Sequence, residues 1–417
     1  MSFKYRPTLA KPGRMYALAA GLVSLTLVVA ACGGGSSSTE STPAPAASEA
    51  APAASEAAPA ASEAAPAASE AAPASAIDAA YAELVNGSWT LPPTTVVPGV
   101  AGKTIMLESC GEANDNCVDM GNGVRKAAEI LGWKVELCDG ALDAAKYAAC
   151  FRQAVAQGVD GVIALGTDCP VVKAPLKEAV AAGIKVVGVH SFDCDELDPT
   201  DTSLFSTQIS YGDRAADSPD MWRNWGAAQA VAAVKWANGG AILHPVNKEY
   251  ASFKFMDEGW YPKVAEICPD CVVIDLPWTV SEAGPKIEAK VQAALLKNPE
   301  ITVVTAATNA PLGFLNGVKL SGMADKVKVI EGHGSITEGE WVRSGEMAAL
   351  VGWINDWWGF AAVDALNSDF AGVPQEDSGI GFAIIDAENN LYPSGEAFQG
   401  QGKSPDLAAL YASRWGK

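Results

Sequence analysis

Short apolar runs alternate with amphipathic segments of helical length along the chain from Lys103 onward. The runs predict ten strands, at residues 104–107, 134–137, 161–165, 185–189, 241–243, 272–276, 301–306, 327–331, 348–352 and 380–385. The segments between them predict nine helices, at residues 121–131, 144–156, 171–182, 227–236, 253–267, 283–296, 311–321, 336–344 and 358–367. Strands that alternate with helices in this way predict an α/β fold.

A polar stretch at residues 193–221 divides the predicted strands into a first set of four and a second set of six. This division predicts two doubly wound, Rossmann-like lobes. Ligands of such sheets bind beyond the carboxyl ends of the strands. Binding residues are therefore expected in the loops that follow the strands.

The first 31 residues predict a cleaved export signal. Four basic residues precede an apolar stretch, residues 15–31, which is too short to be a comfortable membrane span. Residues 27–32, Leu-Val-Val-Ala-Ala-Cys, resemble the cleavage box of a bacterial lipoprotein, in which the cysteine carries diacylglycerol. We expect a signal peptide at residues 1–31 and lipidation of Cys32, which anchors an extracytoplasmic protein to the membrane. An uncleaved helix with an accidental cysteine is the alternative.

Residues 32–100 are predicted to be a linker that begins with the lipidated cysteine. A Gly/Ser/Thr-rich segment, residues 33–42, leads into a seven-residue repeat with proline at positions 45, 52, 59, 66 and 73. A proline every second turn prevents a continuous helix, so we expect a semi-extended spacer. At roughly 3 Å per residue it could reach on the order of 100 Å.

The net charge of −20 disfavours binding to nucleic acid, because the chain repels phosphate backbones. Eight cysteines follow Cys32, and an even number in an exported chain predicts disulfides. Sequence alone allows 105 pairings. Local geometry favours neighbours, namely Cys110 with Cys117, Cys138 with Cys150, Cys169 with Cys194, and Cys268 with Cys271. A redox or zinc role for the last pair is the alternative.

Several segments together resemble the ribose-type, type I substrate-binding proteins of ABC importers. They are residues 157–163, Thr167-Asp168, Ala174-Pro175 and residues 182–187 in the first half, and residues 298–304, Thr308-Asn309, Gly313 and Gly322 in the second. The similarity runs in order from about Lys103 to Asn367. It implies two lobes joined by three crossover strands, with residues 101–206 and 354–383 in the N-terminal lobe and residues 207–353 and 384–417 in the C-terminal lobe.

The resemblance also implies a function. Proteins of this kind close over a small polar ligand, such as a sugar or polyol, and deliver it to an ABC permease and its ATPase. They are monomers that need no cofactor and no catalysis. A sensory receptor of the same fold, with a membrane signalling partner, is the alternative. An exported enzyme is a third possibility, but the chain lacks a Gly-x-Ser-x-Gly elbow, a His-Glu-x-x-His helix and a phosphate loop.

The family's ligand-gripping positions are only partly kept. The asparagine after the seventh strand is present as Asn309, and Lys254 stands where an arginine is frequent. The acids expected after two other strands are His190 and His333, and an expected glutamine is Trp353. The aromatic pair expected after the first strand falls near residues 116 and 117. The scaffold therefore matches better than the sugar-binding set does.

The three histidines of the chain all follow or end predicted strands, so we expect them in the cleft. Neutral imidazoles could hydrogen-bond a polyol, or protonated imidazoles could hold an anion together with Lys254. Zinc is a further alternative, although the spacings form no motif. A calcium site in the acidic loop at residues 193–201 lacks the required glycine and glutamate. The complete predicted ligand set is Glu108, Ser109, Asn114, Thr167, Asp168, His190, Ser191, Phe192, His244, Asn247, Lys254, Trp278, Asn309, His333 and Trp353.

Overall fold

A computed structural model describes residues 73–403 and 405–417, with side chains from residue 76. The predicted signal peptide, the lipidation site Cys32 and the proline repeat up to residue 72 lie outside these described residues. Within the described part, no helix combines the length and the apolar character needed to cross a bilayer.

The first half of the described chain contains four strands that alternate with helices. Its elements are α1 (Pro73–Asn86), β1 (Thr104–Ser109), α2 (Asp115–Leu131), β2 (Lys134–Asp139), α3 (Ala144–Gln157), β3 (Gly161–Leu165), α4 (Cys169–Ala181), β4 (Lys185–Val189) and the short α5 (Cys194–Leu197).

The second half contains six further strands. Its elements are α6 (Ser218–Ala237), β5 (Ala241–Val246), α7 (Ala251–Ile267), β6 (Val273–Pro277), α8 (Pro285–Lys297), β7 (Ile301–Thr305), α9 (Pro311–Ser321), β8 (Lys328–Glu331), α10 (Ile336–Ser344), β9 (Ala349–Trp353), α11 (Asn355–Ala371), β10 (Phe382–Asp386) and α12 (Leu407–Arg414).

The strands form two sheets, one in each lobe. The first sheet has the order β2-β1-β3-β4, and all of its strands are parallel. The second has the order β10-β9-β8-β7-β5-β6, in which only β10 runs antiparallel to its neighbour. The expected α/β fold is confirmed, and a strand lies at each of the ten predicted places.

The chain crosses between the lobes three times from β4 to β10, as the resemblance implies. It passes from β4 to α6, from β9 to α11, and from α11 to β10. The first and third crossings meet in a parallel bridge between Ser210 and Asp377. Arg214 and Asp377 form an ion pair beside this bridge, so the hinge side of the molecule is tied by side chains as well as by backbone.

Glycines bring two helix pairs into backbone contact, one pair in each lobe. In the first lobe, a Cβ on Gly123 of α2 would lie 2.1 Å from the Asp356 carbonyl oxygen of α11. In the second lobe, a Cβ on Gly259 of α7 would lie 1.9 Å from the Arg223 carbonyl oxygen of α6. Any side chain at either position would force the helices apart, because buried backbones packed this closely leave no space for it.

All four expected disulfides are present: Cys110–Cys117, Cys138–Cys150, Cys169–Cys194 and Cys268–Cys271. The first three lie in the N-terminal lobe and the fourth lies in the C-terminal lobe. Cys169 and Cys194 stand just beyond the ends of β3 and β4, which are neighbours in the sheet. Each bridge therefore fastens a local loop, and none of the four connects the lobes.

The predicted linker does not extend to residue 100. Helix α1 packs on α6 and β10, because Ile77, Tyr81 and Leu84 recur at helical spacing on one face. The Tyr81 hydroxyl donates to Asp386 at 2.7 Å. Residues 87–99 then run along the domain, with backbone bonds that include Val97 N–H to the Arg414 carbonyl at 2.8 Å.

The C-terminal segment also differs from its expected lobe. Whereas β10 joins the second sheet, α12 packs on α2 and α11 of the first lobe. The buried Arg414 explains this position, because its guanidinium pairs with Asp364 at 2.8 Å and with Glu376 at 2.7 Å. A buried guanidinium needs such carboxylate partners, and α11 supplies the first of them.

Candidate ligand-binding cleft

A cavity of about 100 Å³ lies between the lobes at the carboxyl ends of the strands. The first lobe contributes Asn114, Asn116, Asp168 and His190, and the second lobe contributes Thr308, Asn309 and His333. Three aromatic side chains also line the cavity: Trp222, Tyr250 and Phe253. The Cys110–Cys117 disulfide also borders the cavity. Of the predicted ligand set, the structure thus brings five residues together here: Asn114, Asp168, His190, Asn309 and His333.

Local sequence signals hold the loop after β1 in place. The Asn114 side chain caps α2 by accepting from the backbone N–H groups of Asn116 and Cys117, at 3.0 and 3.4 Å. The disulfide closes the same loop over a separation of seven residues. Cap and disulfide together orient the first turn of α2 toward the cavity.

His190 follows β4 in a left-handed backbone conformation, with φ of +50°. Its ring is surrounded by other rings, with centroids 4.4 Å from Trp358, 5.1 Å from Trp222 and 5.4 Å from Trp353. Burial lowers the pKa of His190 well below its usual value, and nearby His333 lowers it further. The imidazole is therefore neutral, and its buried Nε2 has no hydrogen-bond partner among the described residues.

His333 lies opposite, in the turn between β8 and α10, with its ring centroid 5.7 Å from that of His190. Burial lowers the pKa of its imidazole, although neighbouring Glu338 opposes this effect. Neither ring nitrogen has a partner in the part of the chain that the structure describes. A neutral imidazole has one donor and one acceptor nitrogen, so His333 offers the cavity both functions.

Glu338 supports the turn that carries His333. Ser335 and Glu338 form a capping box at the start of α10, the pattern Ser-x-x-Glu. One carboxylate oxygen accepts from the backbone N–H groups of His333, Gly334 and Ser335 at 2.7–3.0 Å. Burial opposes the charge of Glu338, but His333 and these N–H groups bring its pKa below the usual value. Behind it, burial and the Glu338 charge raise the pKa of Glu331 well above its usual range, which keeps Glu331 neutral.

Three polar contacts join the lobes beside the cavity. Asn116 Nδ2 donates to Glu338 Oε1 at 3.3 Å, and the Ala251 N–H donates to Asp168 Oδ2 at 3.3 Å. At the rim, the Thr337 hydroxyl donates to Asp115. Burial raises the pKa of Asp168 to about 6, despite the N–H groups of Ala251 and Phe192. The structure is therefore a closed form in which the lobes contact each other directly.

Five of the predicted residues in the first lobe lie near the cavity but outside its wall: Glu108, Ser109, Thr167, Ser191 and Phe192. All are buried and mostly engaged with their own lobe. Thr167 donates to Glu108 at 2.9 Å, and Ser191 accepts from the Thr167 N–H at 2.8 Å. Ser109 donates to Glu112, whereas Phe192 packs edge-on across the lobes against Phe255 of α7. They support the loops that carry Asp168 and His190.

Five other predicted residues do not line this cavity: His244, Asn247, Lys254, Trp278 and Trp353. His244 lies within β5 rather than after it, bonds Thr305 and Asp257 at 2.8 and 2.9 Å, and stacks on Trp260. Lys254 is on the outer side of α7, where it pairs with Glu258.

The remaining three of these residues are core residues of the second lobe. The Asn247 amide bonds Glu249 and the Trp278 carbonyl. Trp278 packs between Phe253 and Phe314, and Trp353 stacks on Trp225 at a centroid distance of 5.0 Å.

Sequence reasoning missed Asn116, Trp222, Tyr250, Phe253 and Thr308 as cavity residues. Trp222 was hidden by a late predicted helix start, since α6 begins at Ser218 and not at residue 227. The start signals are present in the sequence, because Asp217 caps the helix and Pro219 is in its first turn.

The structure gives structural roles to the residues considered for metals. In the acidic loop, Asp193 is buried and accepts from the backbone N–H groups of Cys194, Leu204 and Phe205 at 2.7–2.9 Å. It lies close to Cys169 and Cys194, but both sulfurs are in a disulfide and cannot bind a metal as thiolates. The three histidines do not meet, because His244 is in the core of the second lobe.

Solved structures of ABC transporter solute-binding proteins have this fold. One from Agrobacterium vitis, bound with α-D-tagatopyranose, is 19% identical, with a TM-score of 0.61 over 70% of this chain and 97% of the other. A glucose-galactose binding protein from Geobacillus stearothermophilus is 17% identical, with a TM-score of 0.57 over 69% and 99%. One from Mycobacterium smegmatis, with bound glycerol, is 20% identical, with a TM-score of 0.56 over 71% and 99%.

Sequence comparison agrees with the fold. No curated protein matches the chain significantly. Residues 111–371, more than half of the chain, match the family model described as the periplasmic binding protein domain. That segment contains strands β2 to β9 and the first two of the three lobe crossings. It also contains every residue of the cavity wall except Cys110. The chain therefore belongs to the periplasmic binding protein domain family.

Proposed function

We propose that this chain is the extracytoplasmic solute-binding component of an ABC importer and that it captures a neutral sugar or polyol. The observation that carries the proposal is the set of buried polar atoms in the interlobe cavity. His190 Nε2, both ring nitrogens of His333 and Asn309 Oδ1 have no partner in residues 73–417, Ser404 aside. Buried polar groups are normally satisfied, so these atoms await the hydroxyl groups of a ligand.

The charge of the site favours a neutral solute over an anion. Among the described residues, no lysine or arginine lines the cavity, and the pKa values of both imidazoles are lowered by burial. Lys254, which could have balanced an anion, has its side chain 61% exposed beside Glu258. An anion would therefore enter the cavity without a partner and next to Asp168, which is strongly unfavourable.

Aromatic side chains add the second property of a carbohydrate site. Trp222, Tyr250 and Phe253 line the cavity and can cover the apolar faces of a ring while the polar atoms hold its hydroxyl groups. The three sugar- or polyol-related structures named above share this fold, which supports the same ligand class here.

Capture works by closure in this proposal. A ligand that contacts His190 in one lobe and His333 in the other stabilises the closed form, and the permease recognises that form. The predicted signal at residues 1–31 and the lipid on Cys32 place the domain at the outer face of the membrane, where it acts as a monomer. Residues 33–72 then provide the tether.

A thermal-shift screen tests the proposal with sugars, polyols and their acid counterparts, such as glucose against glucuronate. We expect neutral compounds to stabilise the protein and the matching acids to have no effect. His190→Ala and His333→Ala should each lower the affinity for the best compound at least tenfold, while His244→Ala, a histidine outside the cavity, should keep it. The proposal fails if only anions bind or if both cavity variants bind normally. It also fails if saturating ligand leaves the radius of gyration unchanged in solution X-ray scattering.

A further inference from the structure

A second cavity, which we call the annex, lies next to the ligand cavity and has a volume of about 240 Å³. It shares four wall residues with the ligand cavity: Leu142, Gly166, Asp168 and Tyr250. The remaining wall consists of Ala144, Tyr147, Thr167 and Val171 from the first lobe and Glu249 and Val280 from the second. Both lobes therefore build the annex, so it forms when the cleft closes.

The volume of the annex, about 240 Å³, is larger than that of the ligand cavity, about 100 Å³. The outer side of the annex reaches solvent, because Leu142 and Val171 in its wall are 38% and 47% exposed. If the closed cleft held only a monosaccharide in the ligand cavity, the annex would contain solvent. Its position beside the ligand cavity makes it suitable for a second part of the same ligand.

The polar groups of the annex are mainly acceptors. The Tyr147 hydroxyl already donates to the Cys110 carbonyl at 3.2 Å, and the Thr167 hydroxyl already donates to Glu108 at 2.9 Å. Each hydroxyl oxygen can still accept. Asp168 and Glu249 add two carboxylates, and in the described chain no lysine or arginine lines the annex. A group rich in O–H donors fits this wall, whereas a phosphate or carboxylate does not.

An aromatic ring completes the match. Tyr250 borders both cavities from the second lobe, whereas Tyr147 is almost fully buried in the first lobe and offers the annex little ring surface. Aromatic faces next to hydroxyl acceptors are the combination that binds a sugar ring.

We propose that the annex is a second sugar subsite and that the preferred ligand is a neutral disaccharide or glycoside, with one unit in the ligand cavity and the next in the annex. This inference rests on the proposed function and deepens it by naming the size class of the ligand.

Val171→Trp is designed to fill the annex without touching the ligand cavity. Val171 lies on α4 at the annex wall with 47% of its surface exposed. Val180→Trp is the matched control, because Val180 is on the same helix, is 39% exposed and lines neither cavity. Both changes add the same side chain to the same helix, so a general effect of the tryptophan cancels.

Calorimetric titration would compare a panel of monosaccharides with disaccharides made from them, such as glucose with maltose and cellobiose, and galactose with lactose. We expect the best disaccharide to bind the wild-type protein at least tenfold more tightly than its monosaccharides. Val171→Trp should abolish this preference and leave monosaccharide affinity within twofold, and Val180→Trp should change neither.

The outcomes separate this inference from the proposed function. If monosaccharides bind as tightly as every disaccharide, or if Val171→Trp keeps the disaccharide preference, the annex is not a subsite although the proposed function stands. If neither monosaccharides nor disaccharides bind, the proposed function itself fails.

Discussion

Asn116→Ala is expected to weaken ligand binding by favouring the open form of the cleft. The amide of Asn116 is engaged at both ends: Nδ2 donates to Glu338 Oε1 at 3.3 Å across the cleft, and Oδ1 accepts from Asn355 Nδ2 at 3.3 Å. Asn116 belongs to α2 of the first lobe, while Glu338 belongs to α10 of the second. Opening the lobes must break the first of these bonds.

The size of the effect follows from the bond to Glu338, because the bond from Asn355 joins two helices of the first lobe and is kept in both forms. A hydrogen bond to a charged group contributes roughly 1.5–3 kcal/mol. The distance is long for an N–H···O bond, so the lower end applies, about 1.5 kcal/mol. Since every 1.4 kcal/mol is a factor of ten, the closed form loses a factor of about 10 relative to the open form.

Calorimetry and stopped-flow fluorescence can measure the consequence. The apparent Kd should rise by up to about tenfold, because ligand binding has to supply the lost closure energy. Most of the change should be in the dissociation rate, as is usual for variants of one interface. Asn116→Asp should be worse than Asn116→Ala, because it places a carboxylate against Glu338.

Asp115→Ala is the matched control for Asn116→Ala. Asp115 also contacts the second lobe, through Thr337, but it does so at the exposed rim, where substitutions change free energies by about 0.5 kcal/mol or less. Its effect on affinity should stay below about threefold. Equal effects of the two variants, or an Asn116→Ala affinity within twofold of wild type, would refute the reasoning.

Two further predictions concern stability. Burial raises the pKa of Glu108 to about 8 from 4.5, so the folded protein keeps a proton that the unfolded chain loses, and stability falls as the pH rises from 4.5 to 8. Glu108→Gln should remove up to roughly 4 kcal/mol of this dependence. Urea unfolding of both proteins at pH 5 and pH 8 measures it, and the same difference in unfolding free energy between the two pH values for variant and wild type would contradict it. Loss of the Cys169–Cys194 bridge, with a separation of 25 residues, should cost about 3.5 kcal/mol against about 1.6 kcal/mol for Cys268–Cys271, separated by three. Thermal unfolding of the two double alanine variants, one for each bridge, checks this ranking. A larger loss of stability without Cys268–Cys271 than without Cys169–Cys194 would contradict it.

The fold was accessible from the sequence because its strands are short apolar runs between clear helices. The helix α1 was not, because it follows directly on an alanine-proline repeat and owes its place to contacts with distant parts of the chain. Tyr81 bonds Asp386, 305 positions away, and no local pattern indicates such a partner. The placement of α12 depends in the same way on the ion pair between Arg414 and Asp364.

The site was predictable where a residue stands in a loop after a strand. His190 and His333 follow β4 and β8, and both border the cavity. His244 was expected there too, but β5 continues to Val246, three residues beyond its predicted end. A strand that is longer by a few residues turns an expected loop position into a core position, since side chains along a strand alternate between its two faces. Lys254 shows the same limit for helices, because its side of α7 is set by packing against α6.

The order of the disulfides bears on how the protein matures. From Cys110 onward, the cysteines are bonded in consecutive pairs along the chain, with separations of 7, 12, 25 and 3 residues. During export, each bridge can thus form as soon as its own segment has crossed the membrane, and no thiol has to wait for a distant partner. Correct oxidation then requires an oxidant but no reshuffling of mispaired bonds, and all three bridges of the first lobe can form while the second lobe is still being translocated.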